Sequence, residues 1–289
     1  MTTTDYKSIA KKLKFEGKAY INGKYVDAID GAKFENINPA TGEILCSVAK
    51  CNNKDVDLTV KVARKAFGSG VWSRSTPEYR KEVLLKFAEL LRKHGIENSV
   101  LECVDTGKLI ADCINEVAND APMHFQWYGE LIDKVFGKVG ATDPSITSLV
   151  VKEPIGVVAG VVPWNFPLMM AVWKAAPALA AGCSIIIKPA EDTPLTALRV
   201  AKLASEAGVP DGVFNVLPGF GDVGEALGRH NDVDAISFTG STEVGGYFMK
   251  YSGESNLKNV GLEMGGKSPF IVLDDAKITD SLIDNAINS

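Results

Sequence analysis

Residues 156–190 read GVVAGVVPWNFPLMMAVWKAAPALAAGCSIIIKPA, and this stretch decides the fold. Two short runs rich in β-branched residues, Gly156–Val162 and Ser184–Ile187, flank a long apolar segment that opens after Pro167. Neither run alternates polar with apolar residues, which is the pattern of strands buried on both faces. Similar runs occur at Val213–Leu217, Ala235–Phe238 and Phe270–Leu273, with helical periodicity between them. Strands alternating with helices imply a parallel, Rossmann-type α/β sheet covered by helices on both faces, with right-handed crossovers.

Upstream the texture differs. Asn22-Gly23 between Ala-Tyr-Ile and Lys-Tyr-Val predicts a β-hairpin, and Asn38-Pro39-Ala40-Thr41-Gly42 predicts a turn between two extended segments. Helical periodicity begins near residue 54. Thr76 and Pro77 predict the N-cap and first position of a helix whose apolar stripe is Val83, Leu84, Phe87, Leu90 and Leu91, with Gly95 ending it. A second helical region is expected over 97–135, an edge hairpin over 137–151, and an amphipathic helix over Thr279–Ser289.

Composition narrows the function. The chain has 289 residues, 46% hydrophobic and 23% charged, with a net charge of −5, so it has material for a large core and no basic surplus for nucleic acid. No apolar stretch is long enough to span a bilayer, and neither a nucleic-acid nor a membrane partner is expected. The five cysteines, Cys46, Cys51, Cys103, Cys113 and Cys183, lack metal-ligand spacing and accompany only three histidines. They read as reduced thiols of a cytoplasmic protein, with no metal site. The first 20 residues carry lysines but neither a long apolar run nor an arginine, which argues against a secretory or mitochondrial leader.

Ligands of an open parallel sheet bind beyond the carboxyl ends of its strands. After the first strand, Pro163-Trp164-Asn165-Phe166-Pro167 holds an amide between two rigid prolines, suited either to an oxyanion or to capping the next helix. After the second, Lys188-Pro189-Ala190-Glu191 sets an ammonium near a carboxylate, suited to ribose hydroxyls or to a surface ion pair. A carboxylate there disfavours a 2′-phosphate, so NAD is preferred and NADP stays open. Gly219-Phe220-Gly221-Asp222-Val223-Gly224 comes after the third strand instead of the first, so it reads better as a glycine turn near adenine than as a pyrophosphate cradle. Gly240-Ser241-Thr242-Glu243-Val244-Gly245 opens a helix with glycine and hydroxyls, fit for phosphate or for ordinary capping. In Leu262-Glu263-Met264-Gly265-Gly266, a carboxylate among apolar residues is expected to be partly buried and competent as a general base, or else paired with Lys267.

Pro-Trp-Asn-Phe-Pro at 163–167, Lys-Pro-Ala-Glu at 188–191, Phe-Thr-Gly-Ser-Thr-Glu-Val-Gly at 238–245 and Leu-Glu-Met-Gly-Gly-Lys-Ser-Pro at 262–269, in this order, resemble the NAD(P)-dependent aldehyde dehydrogenase superfamily. The resemblance covers nearly the whole chain from Tyr20 onward. It implies N-terminal strands and helices over 1–135, an oligomerisation hairpin over 136–153, an NAD-binding domain over 154–266 and the start of a catalytic domain over 267–289. It also implies roles. Asn165 would donate to the oxyanion and Glu263 would activate water; Pro163 and Trp164 would line the cofactor channel. Lys188 and Glu191 would hold the ribose, and Gly221 and Gly224 would face adenine. Gly240, Ser241, Thr242, Glu243, Val244 and Gly245 would form the pyrophosphate turn, with Ser241 the most direct donor. The implied reaction oxidises an aldehyde to an acid through a thioester, in a homo-oligomer.

One departure accompanies the resemblance. The nucleophilic cysteine of the family's pattern falls beyond Ser289, and Cys183 leads into a buried strand, so this chain is expected to be truncated and inactive alone. A non-catalytic nucleotide-binding or dimerising module on the same scaffold is the alternative. Phe125, Trp127, Tyr128, Met169, Met170 and Trp173 suit either apolar aldehydes or a core.

Overall fold

The centre of the sheet is the Ile-Ile-Ile run, every residue of which is buried. Ile185 and Ile187 belong to one packed layer and Ile186 to the other, as the alternation of side chains along a strand requires. The computed structural model describes residues 4–288. In chain order these form α1 (Tyr6–Ala10), β1 (Ala19–Ile21), β2 (Lys24–Val26), β3 (Lys33–Ile37), β4 (Ile44–Ala49), α2 (Asn53–Ser69), α3 (Pro77–Lys93), α4 (Gly95–Thr106) and α5 (Ile110–Cys113). A π-helical stretch, Ile114–Asp120, joins α5 to α6 (Ala121–Leu131), and β5 (Lys138–Gly140) pairs with β6 (Ser148–Val150). Then come β7 (Val157–Val161), α7 (Pro167–Ala180), β8 (Ser184–Lys188), α8 (Leu195–Ala207), β9 (Phe214–Val216) and α9 (Gly221–Arg229). The last are β10 (Ala235–Gly240), α10 (Thr242–Gly253), β11 (Asn259–Met264) and α11 (Asp280–Asn288). The predicted last helix thus forms, and Ser289 lies outside the described residues.

The main sheet runs β11-β10-β7-β8-β9-β1-β2, with β7 to β11 parallel and the N-terminal hairpin added antiparallel through Tyr20 opposite Val216. Helices α3, α7 and α8 pack one layer, and α2, α9 and α10 the other. Four of the five predicted parallel strands are present; the fifth is not where the sequence suggested. Phe270–Leu273 has no regular structure, and its side chains are between 45% and 73% exposed. β11 occupies the edge beside β10 instead. It lies at an edge with an alternating exposure pattern, so it lacks the unbroken apolar signature of an interior strand. The 270–273 run has no neighbouring strand among the described residues to satisfy its backbone.

Two helical expectations need correction. Thr76 does cap α3, accepting from the Tyr79 N–H at 3.2 Å, but Gly95 does not stop that helix; it opens α4. A Cβ at Gly95 would lie 2.8 Å from that of Ala118, so glycine is needed there for close approach of the π-helical stretch. The 97–135 region is broken at Gly107, which is left-handed with φ +74°. The β5–β6 hairpin forms a separate sheet with Val139 and Leu149 exposed. No helix of the described residues is long and apolar enough to cross a membrane.

Candidate active site

The carboxyl ends of β7, β8, β10 and β11 open into one cleft of about 870 Å³. Pro163, Trp164 and Asn165 enter it from the loop after β7, and Lys188 and Glu191 from the end of β8. Gly221 and Gly224 enter from α9, Gly240, Ser241 and Val244 from β10 and the start of α10, and Glu263 from β11. Three residues of the expected pyrophosphate turn do not line it. Thr242 and Glu243 begin α10 on its exposed side, where the Glu243 carboxylate accepts from the Tyr247 hydroxyl at 2.8 Å. Gly245 is buried against β11, and a Cβ there would fall 2.4 Å from Met264 Sδ. A helix turns successive residues about 100° apart, so a contiguous motif cannot place all its members in one cleft.

The local chemistry separates several paired readings. Asn165 is exposed and does not cap α7, whose N-cap is Phe166 without a side-chain cap bond. Its amide is left facing the cleft. Lys188 is buried, and its Nζ donates to Glu191 Oε2 at 3.0 Å, so the pair is no surface ion pair: the carboxylate reaches the cleft from a buried ammonium. Ser241 does cap α10, accepting from the Val244 N–H at 3.3 Å, which leaves its own O–H free to donate. A Cβ at Gly240 would lie 2.5 Å from the Phe238 ring, so this turn admits no side chain. Glu263 is exposed at the end of β11; the partial burial expected for it is not found, because β11 is an edge strand with one side open to the cleft.

Sequence reasoning missed Lys174. It lies on α7, only 6% exposed, and its Nζ donates to Thr239 Oγ1 at 2.7 Å. Thr239 is the β10 partner of Glu263. Burial lowers the Lys174 ammonium to about 8, and the Glu263 carboxylate pulls the other way. The available signal was a lone lysine within the apolar Met169–Leu179 run. Thr193 was missed as well: its hydroxyl donates to the Trp164 carbonyl at 3.2 Å and ties the first two loops together. None of the five cysteines lines the cleft.

Residues 25–289 match the aldehyde dehydrogenase family. The chain belongs to that family. It is 48% identical over its full length to the aminoacetaldehyde dehydrogenase of Pseudomonas aeruginosa, spanning 58% of that relative. It is also 48% identical, over 92% of its length, to the NADP/NAD-dependent aldehyde dehydrogenase PuuC of Escherichia coli, spanning 54% of it. The crystal structure of an indole-3-acetaldehyde dehydrogenase complexed with NAD+ superposes with a TM-score of 0.90 at 49% identity, covering 92% of this chain and 54% of that one. The chain therefore spans little more than half the length of these relatives.

Proposed function

We propose that this chain carries the cofactor-binding part of an NAD(P)-dependent aldehyde dehydrogenase, with Asn165 and Glu263 as two of its reacting groups. The observation that carries the reading is the convergence of Asn165, Glu191, Ser241 and Glu263 on one cleft at the carboxyl edge of a parallel sheet. The cleft fits a dinucleotide. Glycine at 240, where a Cβ would strike Phe238, leaves the backbone open to phosphate at the start of α10, and the Lys188–Glu191 pair offers an acceptor to ribose hydroxyls. When bound, NAD supplies the hydride acceptor. Glu191 would repel a 2′-phosphate and so favours NAD over NADP.

The other roles belong to the chain's own groups. The Asn165 amide donates to an aldehyde oxygen as charge develops on it. Glu263 takes a proton from water, and the Lys174 ammonium, held by Thr239 beside it, places a positive charge near the carboxylate. Residues 1–135 support the cofactor domain of 154–266, 136–153 form an oligomerisation hairpin, and 267–289 begin a catalytic domain. The exposed apolar face of the hairpin supports a homo-oligomer.

An NADH fluorescence titration of the chain tests the reading. Glu191→Ala is expected to weaken binding by about 1–3 kcal/mol; an unchanged affinity would remove Glu191 from the site. Supplied in trans with the remaining half of a related enzyme, the chain should restore turnover, and Glu263→Gln should lower it on the order of 10²-fold or more. Cofactor binding without any restored turnover would favour the non-catalytic module.

A further inference from the structure

Helix N-termini leave backbone N–H groups without intrahelical partners, and a neighbouring side chain usually caps them. Two helices that leave the cofactor edge lack such a cap: α7 begins after Phe166 and α8 after Pro194, and neither residue makes a side-chain cap bond. The acceptors come from a distant part of the chain. Glu102 Oε2 accepts from the Leu168 N–H at 3.3 Å, and Asp105 Oδ2 accepts from the Leu195 N–H at 3.0 Å. Both acids lie on α4, three residues apart and so on one face, and both are no more than 1% exposed.

We infer that Glu102 and Asp105 are positioning residues that cap α7 and α8 and thereby set the spacing of the loops carrying Asn165 and Glu191. The inference rests on the cofactor reading of the cleft. Leu168 lies three residues beyond Asn165, and Leu195 four beyond Glu191, so each capped donor sits within about one helical turn of a cleft residue. Two further bonds extend the clamp. Asp105 Oδ1 accepts from Asn36 Nδ2 at 3.0 Å, and the same amide nitrogen donates to the Asp192 carbonyl at 3.1 Å, beside Glu191. The Thr193 hydroxyl then reaches across to the Trp164 carbonyl, so the two loops are joined to each other as well as to α4. A helix serving only as packing would place apolar side chains at these buried positions, since a buried carboxyl is costly without specific partners. Desolvation is indeed the main influence on both acids, and it raises Glu102 to about 8 and Asp105 to about 7.

The test uses the full chain and two readouts, amide hydrogen exchange by mass spectrometry and NADH affinity. Asp105→Asn nearly conserves volume but turns one acceptor oxygen into a donor. It is expected to speed exchange over 188–197 about tenfold, leave 163–170 and the remaining core unchanged, and weaken NADH about fivefold. Glu102→Met should do the same over 163–170. Glu102→Gln keeps an acceptor oxygen and should stay within about twofold of the parent in both readouts. Faster exchange spread evenly over the chain, or a Gln variant as impaired as Met, would reduce the pair to a structural role and overturn the inference. If the parent chain binds no NADH, the cofactor reading fails while the exchange arm still decides the clamp.

Discussion

β8 and the segment Phe270–Leu273 are composed of the same kind of residue, Ile-Ile-Ile in one and Phe-Ile-Val-Leu in the other, yet their fates are opposite. Ile185, Ile186 and Ile187 are fully buried with strands on both sides, whereas Ile271 is 73% exposed and pairs with no strand among the described residues. The difference lies outside both segments. A β-prone run becomes a strand only when neighbours take up its N–H and C=O groups and helices cover its faces. β8 has β7 and β9 beside it and a packed layer above and below. At the other end of the sheet, β11 already holds the place beside β10.

Four measurements bear on that contrast. The largest effect is expected from Ile186→Ala, which opens a cavity between two layers and should cost about 2–5 kcal/mol in urea denaturation; a loss below about 1 kcal/mol would mean that the sheet's centre is looser than its burial indicates. Next comes a pH slope specific to the buried half. Glu102 and Asp105 have carboxyls raised by desolvation to about 8 and about 7, so the stability they allow is present below about pH 4 and is lost as pH rises through 7 to 8. The groups facing Glu102 are Lys108, Glu116, Thr196 and the Leu168 N–H; those facing Asp105 are Asp192, Asn36 and the Leu195 N–H. Melting temperature should fall between about pH 5 and pH 9, and Glu102→Gln should flatten the fall; an unchanged profile in that variant would show that Glu102 does not set the slope.

A smaller effect tests whether β11 can be made to resemble the unpaired run. Gly245→Val would push into Met264 and is expected to cost about 1–3 kcal/mol, with faster hydrogen exchange confined to 259–264. Protection there equal to the parent's would show that α10 does not hold the edge strand. The smallest effect belongs to Ile271→Ala, expected to change stability by no more than about 0.5 kcal/mol. A larger loss would mean that the 270–273 run is packed in solution.

The same contrast explains what could be read from residues alone. Interior strands declare themselves, because burial on both faces leaves an unbroken apolar run; β7, β8, β9 and β10 were legible for that reason. β11 was not, since Asn259-Val-Gly-Leu-Glu-Met mixes polar and apolar residues as an edge strand does. Gly95 misled because a glycine near a helix end is usually a stop, and nothing local reports that Ala118 will press against it. In the site, Asn165, Lys188, Glu191 and Ser241 are legible because they stand just beyond the carboxyl ends of interior strands, where a parallel sheet binds its ligands. Lys174 is not, because its partner Thr239 lies 65 residues away and only the fold brings them together. The glycine-hydroxyl motif at 240–245 promises more cleft residues than it delivers for a related reason, as helix geometry turns half of it away.

The antiparallel hairpin on the far edge of the sheet has a consequence for how the polypeptide is made. Asn22 donates to Asn215 across a separation of 193 residues, and Tyr20 pairs with Val216. At a ribosomal pace of about 5–20 residues per second, the finished hairpin waits roughly 10–40 s for the strand it will join. During that interval its buried apolar residues, Ala19 and Ile21 among them, have no sheet to rest on. The β1–β2 hairpin should therefore become protected against amide exchange in the nascent protein only after β9 has emerged.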